Sequence, residues 1–406
     1  MKRLMPAVWK RTENRLAVYS LLFFLIYAVA FLYELLAEAG VHGTDFIPIG
    51  VDFGVYYTAG YMTINQNAGK IFDVWQHHET MIQLLHQPLS LLLPWFYPPF
   101  FLLVVVPFSF LPFRVALVLW LAGTLVLAFL AARRMLPERK QLASLFLGFP
   151  GVLMNLRWGQ NGFLSAALLG FGIAFLESNP IVSGAMFGLL AYKPQFATLP
   201  FLILLLTKNK KALFSGLCSA AAASLVSLLL FGAEPWAAFF RSLFDSSSTL
   251  LETDQASLAA VQTAPFNALL NLGLSRPVSY ALQGIISLAT VLAVWWIWTH
   301  TNRQTCKGAS LVLGIPLSIP YFMQYDLVIL ALPLILLSYE VLQSGCRKYE
   351  SALLLLLWLM PAVNWPLVYN TGVQLCPLVL AALLVLVILR VKKEAQIPPI
   401  SLKEAA

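Results

Sequence analysis

Five short stretches concentrate the side chains able to do chemistry in this 406-residue chain. They are Val51-Asp52-Phe53-Gly54-Val55-Tyr56-Tyr57, Trp95-Phe96-Tyr97-Pro98-Pro99-Phe100, Arg157-Trp158-Gly159-Gln160-Asn161-Gly162, Tyr192-Lys193-Pro194-Gln195 and Pro320-Tyr321-Phe322-Met323-Gln324-Tyr325-Asp326. Together they offer carboxylates that can carry a proton, cations that can hold an anion, and amides and phenols that can hydrogen-bond hydroxyl groups. Each stretch also has a plain structural reading. Asp52 suits a helix cap or a solvated loop, and Gly-Gln-Asn and Lys-Pro-Gln suit turns. Lys193 suits snorkelling to lipid phosphates, and the Tyr and Trp residues suit an aromatic belt. His77-His78-Glu79 with His86 matches no standard metal spacing, so no metal is expected. The four cysteines, Cys218, Cys306, Cys346 and Cys376, form no disulfide or zinc pattern.

The elements that position these stretches are set by composition. Apolar residues make up 60% of the chain and charged residues only 11%, too few to cover a water-soluble surface. The solvent is therefore lipid, and spanning elements must be helices, because no ten-residue alternating pattern of a barrel appears. Twelve apolar segments read as transmembrane helices: 16–36, 115–132, 142–156, 162–176, 181–192, 196–206, 212–231, 278–299, 308–320, 327–339, 351–367 and 373–389. The stretch Pro98 to Pro112 is interrupted by four prolines and reads as a dipping or interfacial element. The whole of 1–406 reads as one integral-membrane domain, with long outer segments at 37–114 and 233–277.

Net charge is +8, a balance that in a soluble domain would suggest nucleic acid. No nucleic-acid motif is present, and the basic residues sit in small clumps between apolar segments. With both termini inside, all but six of the 26 Lys and Arg residues fall on the inner side. The six outside are Lys70, Arg114, Arg157, Lys193, Arg241 and Arg276, and the clumps inside include Lys2, Arg3 and Lys403. Counting Pro98–Pro112 as a span would invert everything after it. The N-terminal segment, ending near Ala37-Glu38-Ala39, is longer than the apolar part of a signal peptide and reads as an uncleaved anchor.

This parity puts all five chemical stretches at one membrane surface. The first long outer segment also holds His42, His77, His78 and His86 with Asp45, Asp52, Asp73 and Glu79. A secondary transporter would instead keep its polar site near the midplane, between repeated halves.

Taken in order, the stretches resemble glycosyltransferase family 87, membrane enzymes of the GT-C fold that use polyprenyl-phosphate sugars and include mannosyltransferases. The resemblance rests on VDFGVYYTAG at 51–60, YPPFFLLVVVPFSFLPF at 97–113, GQNGFLSAALLG at 159–170 and GAMFGLLAYKPQFATLPFLILL at 184–205. FGAEPWAAFF at 231–240 and IPYFMQYDLVILALPLILL at 319–337 continue it. It implies an all-α polytopic membrane protein with about 12 transmembrane helices and a large first outer loop carrying short interfacial helices. It also implies a catalytic carboxylate at the position of Asp52 and a lipid-linked donor. Lys193 is then the candidate donor-phosphate contact and Arg157 a second. Where relatives carry a histidine-containing stretch late in the chain, this sequence has Tyr325-Asp326, so that role and a preference for mannose do not carry over directly.

The chemistry this implies is transfer of a sugar, such as a hexose, from polyprenyl phosphate to a glycan or glycolipid hydroxyl with inversion. Asp52 would take the acceptor proton, and a cation would stabilise the leaving phosphate. Gln160, Asn161 and Gln195 would bind sugar hydroxyls; Tyr56, Tyr57 and Tyr97 would form walls; Tyr325 and Asp326 would complete the substrate site. No cofactor is expected, and the location would be the inner (plasma) membrane with the site on its periplasmic face. Three other readings stay open: a GT-C-type ligase or polymerase using a diphosphate-linked donor, a lipid or solute transporter, and a structural membrane subunit.

Overall fold

A computed structural model describes residues 5–37, 48–86, 89, 92–252 and 261–395. Lys2, Arg3, Glu38, Ala39, His42, Asp45 and Lys403 lie outside the described residues. Among the described residues the regular elements are all helices, with no strand and one isolated antiparallel bridge between Gln262 and Met323. Six helices among the described residues are long and apolar enough to cross a membrane: Lys10–Ala37, Phe113–Met135, Lys210–Phe231, Arg276–His300, Gln324–Ser344 and Glu350–Thr371. Their outward faces carry large apolar side chains such as Leu25, Ile26, Leu229, Leu230, Ile285 and Leu355, each more than half exposed. Such a surface is stable only in lipid. The chain is thus an all-α polytopic membrane protein.

Every apolar segment expected from the sequence falls on helix, but several are short. Gly162–Phe175, Pro180–Tyr192, Pro194–Leu206 and the dipping element Pro99–Phe110 have between 10 and 17 residues. The segment expected as one span over 142–156 is broken instead. It forms Lys140–Ala143, Ser144–Leu147 and Gly151–Trp158, interrupted at Gly148-Phe149-Pro150. Pro150 has no N–H to continue the ladder. The carbonyl of Gly148 accepts from Tyr27 OH at 3.3 Å and Trp358 Nε1 at 3.0 Å, so the break leaves it satisfied inside the bundle.

The first long connection also differs from a set of surface helices. Val51–Asn65 is buried on nearly every side, including Val51, Asp52, Phe53, Val55, Tyr56, Ala59 and Met62. Val74–Leu85 is amphipathic, burying His77, Thr80 and Met81 while Trp75 is exposed. Its Asp73 caps it, accepting from the N–H groups of Trp75 and Gln76. His77 Nε2 lies 3.2 Å from the Val55 carbonyl, joining the two helices. Burial pushes this imidazole down to about 4, so it is neutral near pH 7 and donates that bond. The two long connections meet where Asn67 Nδ2 donates to both carboxylate oxygens of Glu234, at 3.0 and 2.9 Å.

Small residues set the tightest helix contact. A Cβ on Gly184 would lie 2.0 Å from the Ala212 carbonyl oxygen, and one on Gly188 would lie 2.2 Å from that of Gly216. Pro180–Leu189 therefore approaches Lys210–Phe231 backbone to backbone, with Ser215 and Ser219 bonding across to Ile181 and Ala185 carbonyls. This contact fixes the helix whose C-terminal end carries Tyr192 and Lys193.

Candidate active site

Two left-handed glycines bring the first and third sequence stretches together. Gly50, at φ 71°, precedes helix Val51–Asn65, and Gly159, at φ 72°, ends Gly151–Trp158. A Cβ on Gly159 would sit 2.9 Å from Gly50 Cα and 2.7 Å from Phe53 Cβ, so only glycine allows this approach. The Gly50 N–H donates to the Arg157 carbonyl at 2.9 Å, and Trp120 Nε1 donates to the Gly159 carbonyl at 3.1 Å. The turn so pinned delivers Gln160 to Asp52.

Gln160 Nε2 donates to Asp52 Oδ2 at 2.6 Å, and Gln160 Oε1 accepts from Tyr56 OH at 2.7 Å. The tyrosine one helical turn along from Asp52 thus fixes the amide that holds the carboxylate. Tyr56 and Tyr97 hydroxyls are 3.1 Å apart. Tyr192 OH donates to the Asn161 carbonyl at 3.1 Å and lies 2.6 Å from Ser165 Oγ. The Tyr192 ring stacks on Phe101, with centroids 4.6 Å apart.

Lys193 follows directly as the N-cap of Pro194–Leu206. Its ammonium donates to Asp326 Oδ1 at 2.6 Å, with both side chains 5% exposed. The same Nζ is 5.1 Å from the Phe196 ring centroid and 5.5 Å from that of Tyr325. Asn155 Nδ2 donates to the Tyr325 carbonyl at 2.7 Å, which anchors the first turn of the helix that carries Asp326.

Electrostatics set the state of Asp52. Its place in a first helical turn favours the anion by about 0.3–1 kcal/mol, and the Gln160 amide and Lys193 pull the same way. Burial opposes them and wins, pushing the carboxyl from 3.8 up to about 7; Asp326 adds to the rise. Asp52 therefore changes charge near neutral pH, where a proton acceptor is most effective. Lys193 and Asp326 both act on it electrostatically, so the three charges belong to one site. Asn161 is fully buried there, its side-chain amide facing the Tyr97 hydroxyl and otherwise without a hydrogen-bond partner in the protein.

The model of glycosyltransferase family 87 matches residues 95–320, more than half of the chain. The chain belongs to glycosyltransferase family 87. It is a membrane glycosyltransferase, and its all-helical bundle is consistent with the GT-C type. No curated protein and no solved structure matches the chain. Tyr97, Gln160, Asn161 and Lys193 lie inside the matched stretch; Asp52 precedes it and Asp326 follows it.

Of the residues singled out from sequence, this glycosyltransferase gathers Asp52, Tyr56, Tyr97, Gln160, Asn161, Lys193, Tyr325 and Asp326. Three are placed otherwise. Tyr57 OH donates to the Leu111 carbonyl at 2.8 Å and its ring packs on Phe113, so it ties its helix to the dipping element. Arg157 pairs through Nε with Glu34 Oε2 at 2.9 Å and donates through its guanidinium to the Pro48 carbonyl at 3.2 Å. Gln195 is half-buried on the first turn of Pro194–Leu206 and takes no part in the hydrogen-bond network among the described residues. Gln160 itself is spent on Asp52 and Tyr56 rather than left open for a ligand. Sequence reasoning passed over Tyr192, Ser165 and Asn155 as site residues. Tyr192 was detectable beside Lys193, whereas Ser165 and Asn155 look like ordinary polar positions within helices.

Proposed function

We propose that this glycosyltransferase moves one sugar, a hexose such as mannose, from a polyprenyl-phosphate donor to a hydroxyl of a glycan or glycolipid acceptor. The observation that carries this reading is Asp52, a buried carboxyl at about 7, within electrostatic reach of the buried ammonium of Lys193. The acceptor hydroxyl gives its proton to Asp52 as its oxygen bonds to the anomeric carbon. The bond from that carbon to the phosphate oxygen breaks, and the electron pair leaves on a polyprenyl phosphate. One in-line displacement inverts the centre, through an oxocarbenium-like state. Lys193 stabilises the charge that grows on the leaving oxygen.

Meeting the phosphate requires Lys193 to share or leave Asp326, and Asp326 holds it ready until the donor arrives. Asn161, whose amide has only the Tyr97 hydroxyl beside it, is the residue most open to a sugar hydroxyl. The reaction as written balances without a metal or other cofactor. In this reading the chain is one integral domain of the inner (plasma) membrane with cytoplasmic termini. The segments 37–114 and 233–277 then lie on the extracytoplasmic side, where lipid-linked sugars replace nucleotide sugars.

The test is to incubate the purified protein in nanodiscs with a panel of polyprenyl-phosphate sugars and membrane lipid extract. A product one hexose heavier is expected, formed at an unchanged rate in EDTA and abolished in Asp52→Asn. Transfer only from diphosphate-linked donors would overturn the reading.

A further inference from the structure

Helix Gln324–Ser344 carries Asp326 at one end. At the other end, about 30 Å away at 1.5 Å per residue, lies a groove of about 460 Å³ lined by Cys346, Arg347, Lys348, Leu386, Leu389 and Lys393. That distance is the thickness of the hydrocarbon core, so the groove sits at the membrane face opposite the candidate active site. The described acids next to it, Glu340 and Glu350, are already engaged. Glu350 binds Arg390 through both oxygens, at 2.7 and 2.6 Å, and Glu340 binds Arg303 at 2.6 Å. Arg347 offers Glu350 only its backbone N–H, at 2.9 Å. Among the described residues no ion pair involves Arg347, Lys348 or Lys393, whereas Arg303 and Arg390 are both paired.

We propose that this groove binds the headgroup of an anionic phospholipid. Three unneutralised cations from two elements converge on it, which matches a phosphate monoanion embedded at a bilayer surface. Its floor is apolar, with Leu386 9% and Leu389 44% exposed. Below it, Leu378, Val385 and Leu389 are exposed at spacings of seven and four residues, one lipid-facing stripe that an acyl chain can follow. Tyr349, 67% exposed with Lys348 Nζ 4.8 Å from its ring centroid, lies beside the rim as an interfacial anchor. Orientation of the chain in the membrane requires cations near this end of the bundle. It does not require them to share one groove with a leucine floor and no acid among its described lining residues.

The test is native mass spectrometry of the full chain released from vesicles of equal parts phosphatidylglycerol and phosphatidylcholine. One phosphatidylglycerol per chain is expected, retained at least about fivefold over phosphatidylcholine. Lys348→Gln/Lys393→Gln should lose that preference with an unchanged Tm, and Lys210→Gln/Lys211→Gln, on another connection, should keep it. Added inorganic phosphate at millimolar concentration should not displace the lipid. Equal retention of the two lipids, or an equal loss in both variants, would overturn the assignment; displacement by phosphate would make it a free-anion site instead.

Discussion

Lys193 and Asp326, 133 residues apart, meet as a buried ion pair with Nζ and Oδ1 2.6 Å apart. The pair bridges the start of Pro194–Leu206 and the start of Gln324–Ser344, so it locks two elements and charges the site at once. Removing one partner leaves an uncompensated buried charge, which costs about 3–5 kcal/mol, while replacing both with apolar groups is often close to neutral. Asp326→Asn and Lys193→Met should each lower Tm strongly, and Lys193→Met/Asp326→Leu should recover most of the loss. All three should be poor enzymes, with Lys193→Met weakening donor binding more than acceptor binding. Full donor affinity in the double variant would remove Lys193 from phosphate recognition.

Asp52 makes a prediction about rate and pH. General-base catalysis contributes about 10²–10⁴ in rate, so Asp52→Asn should lose at least about a hundredfold in transfer at unchanged expression. With a carboxyl at about 7 in the free enzyme, the wild-type kcat/KM should rise roughly tenfold per pH unit below that value and level off above it. A rate that is flat from pH 5.5 to 8 would exclude Asp52 as the base.

The same carboxyl makes a prediction about stability, of opposite sense. Its folded value is raised, so the protonated form favours folding below its unfolded value near 3.8. That contribution is lost as pH climbs towards about 7. The full span corresponds to on the order of 4 kcal/mol. Asp52→Asn, which never ionises, should therefore exceed the wild type in Tm at pH 8 and match it near pH 4. A variant less stable than wild type at pH 8 would contradict the burial of this charge.

Gln160 should behave as a positioning residue. Its Nε2 holds Asp52 and its Oε1 is held by Tyr56, so Gln160→Leu should lower kcat and shift the rising limb of the pH profile upwards, because a hydrogen bond that favours the anion is gone. Tyr56→Phe should produce a smaller shift of the same sign. A change in acceptor KM alone would instead make Gln160 a sugar contact.

Gly159 offers a purely steric test. Alanine there combines a left-handed φ of 72° with a Cβ 2.7 Å from that of Phe53. Strain of this kind costs about 1–3 kcal/mol, and relief would move Gln160 away from Asp52. Gly159→Ala should lose both Tm and turnover. Gly123→Ala, within a helix and with nothing within 4 Å of the added carbon, should leave turnover unchanged and Tm no lower.

Hydropathy and charge spacing, read locally, were enough to establish a helical membrane protein and to mark five stretches rich in chemistry. Lipid satisfies no backbone hydrogen bond, so apolar segments of this length have no choice but helix. Residue type likewise marked Asp52 and Lys193, because an acid or a lysine kept in so apolar a chain needs a partner or a task. Only the tertiary structure decided what those partners are. Gln160 reaches Asp52 across 108 positions and Asp326 reaches Lys193 across 133, and no local rule encodes such pairings. They depend on where two left-handed glycines and a glycine-lined helix contact let backbones touch. The same packing turned Tyr57 and Arg157 towards Leu111, Glu34 and Pro48. It also buried the helix of Asp52, and burial, a property of the whole bundle, is what brings that carboxyl to about 7.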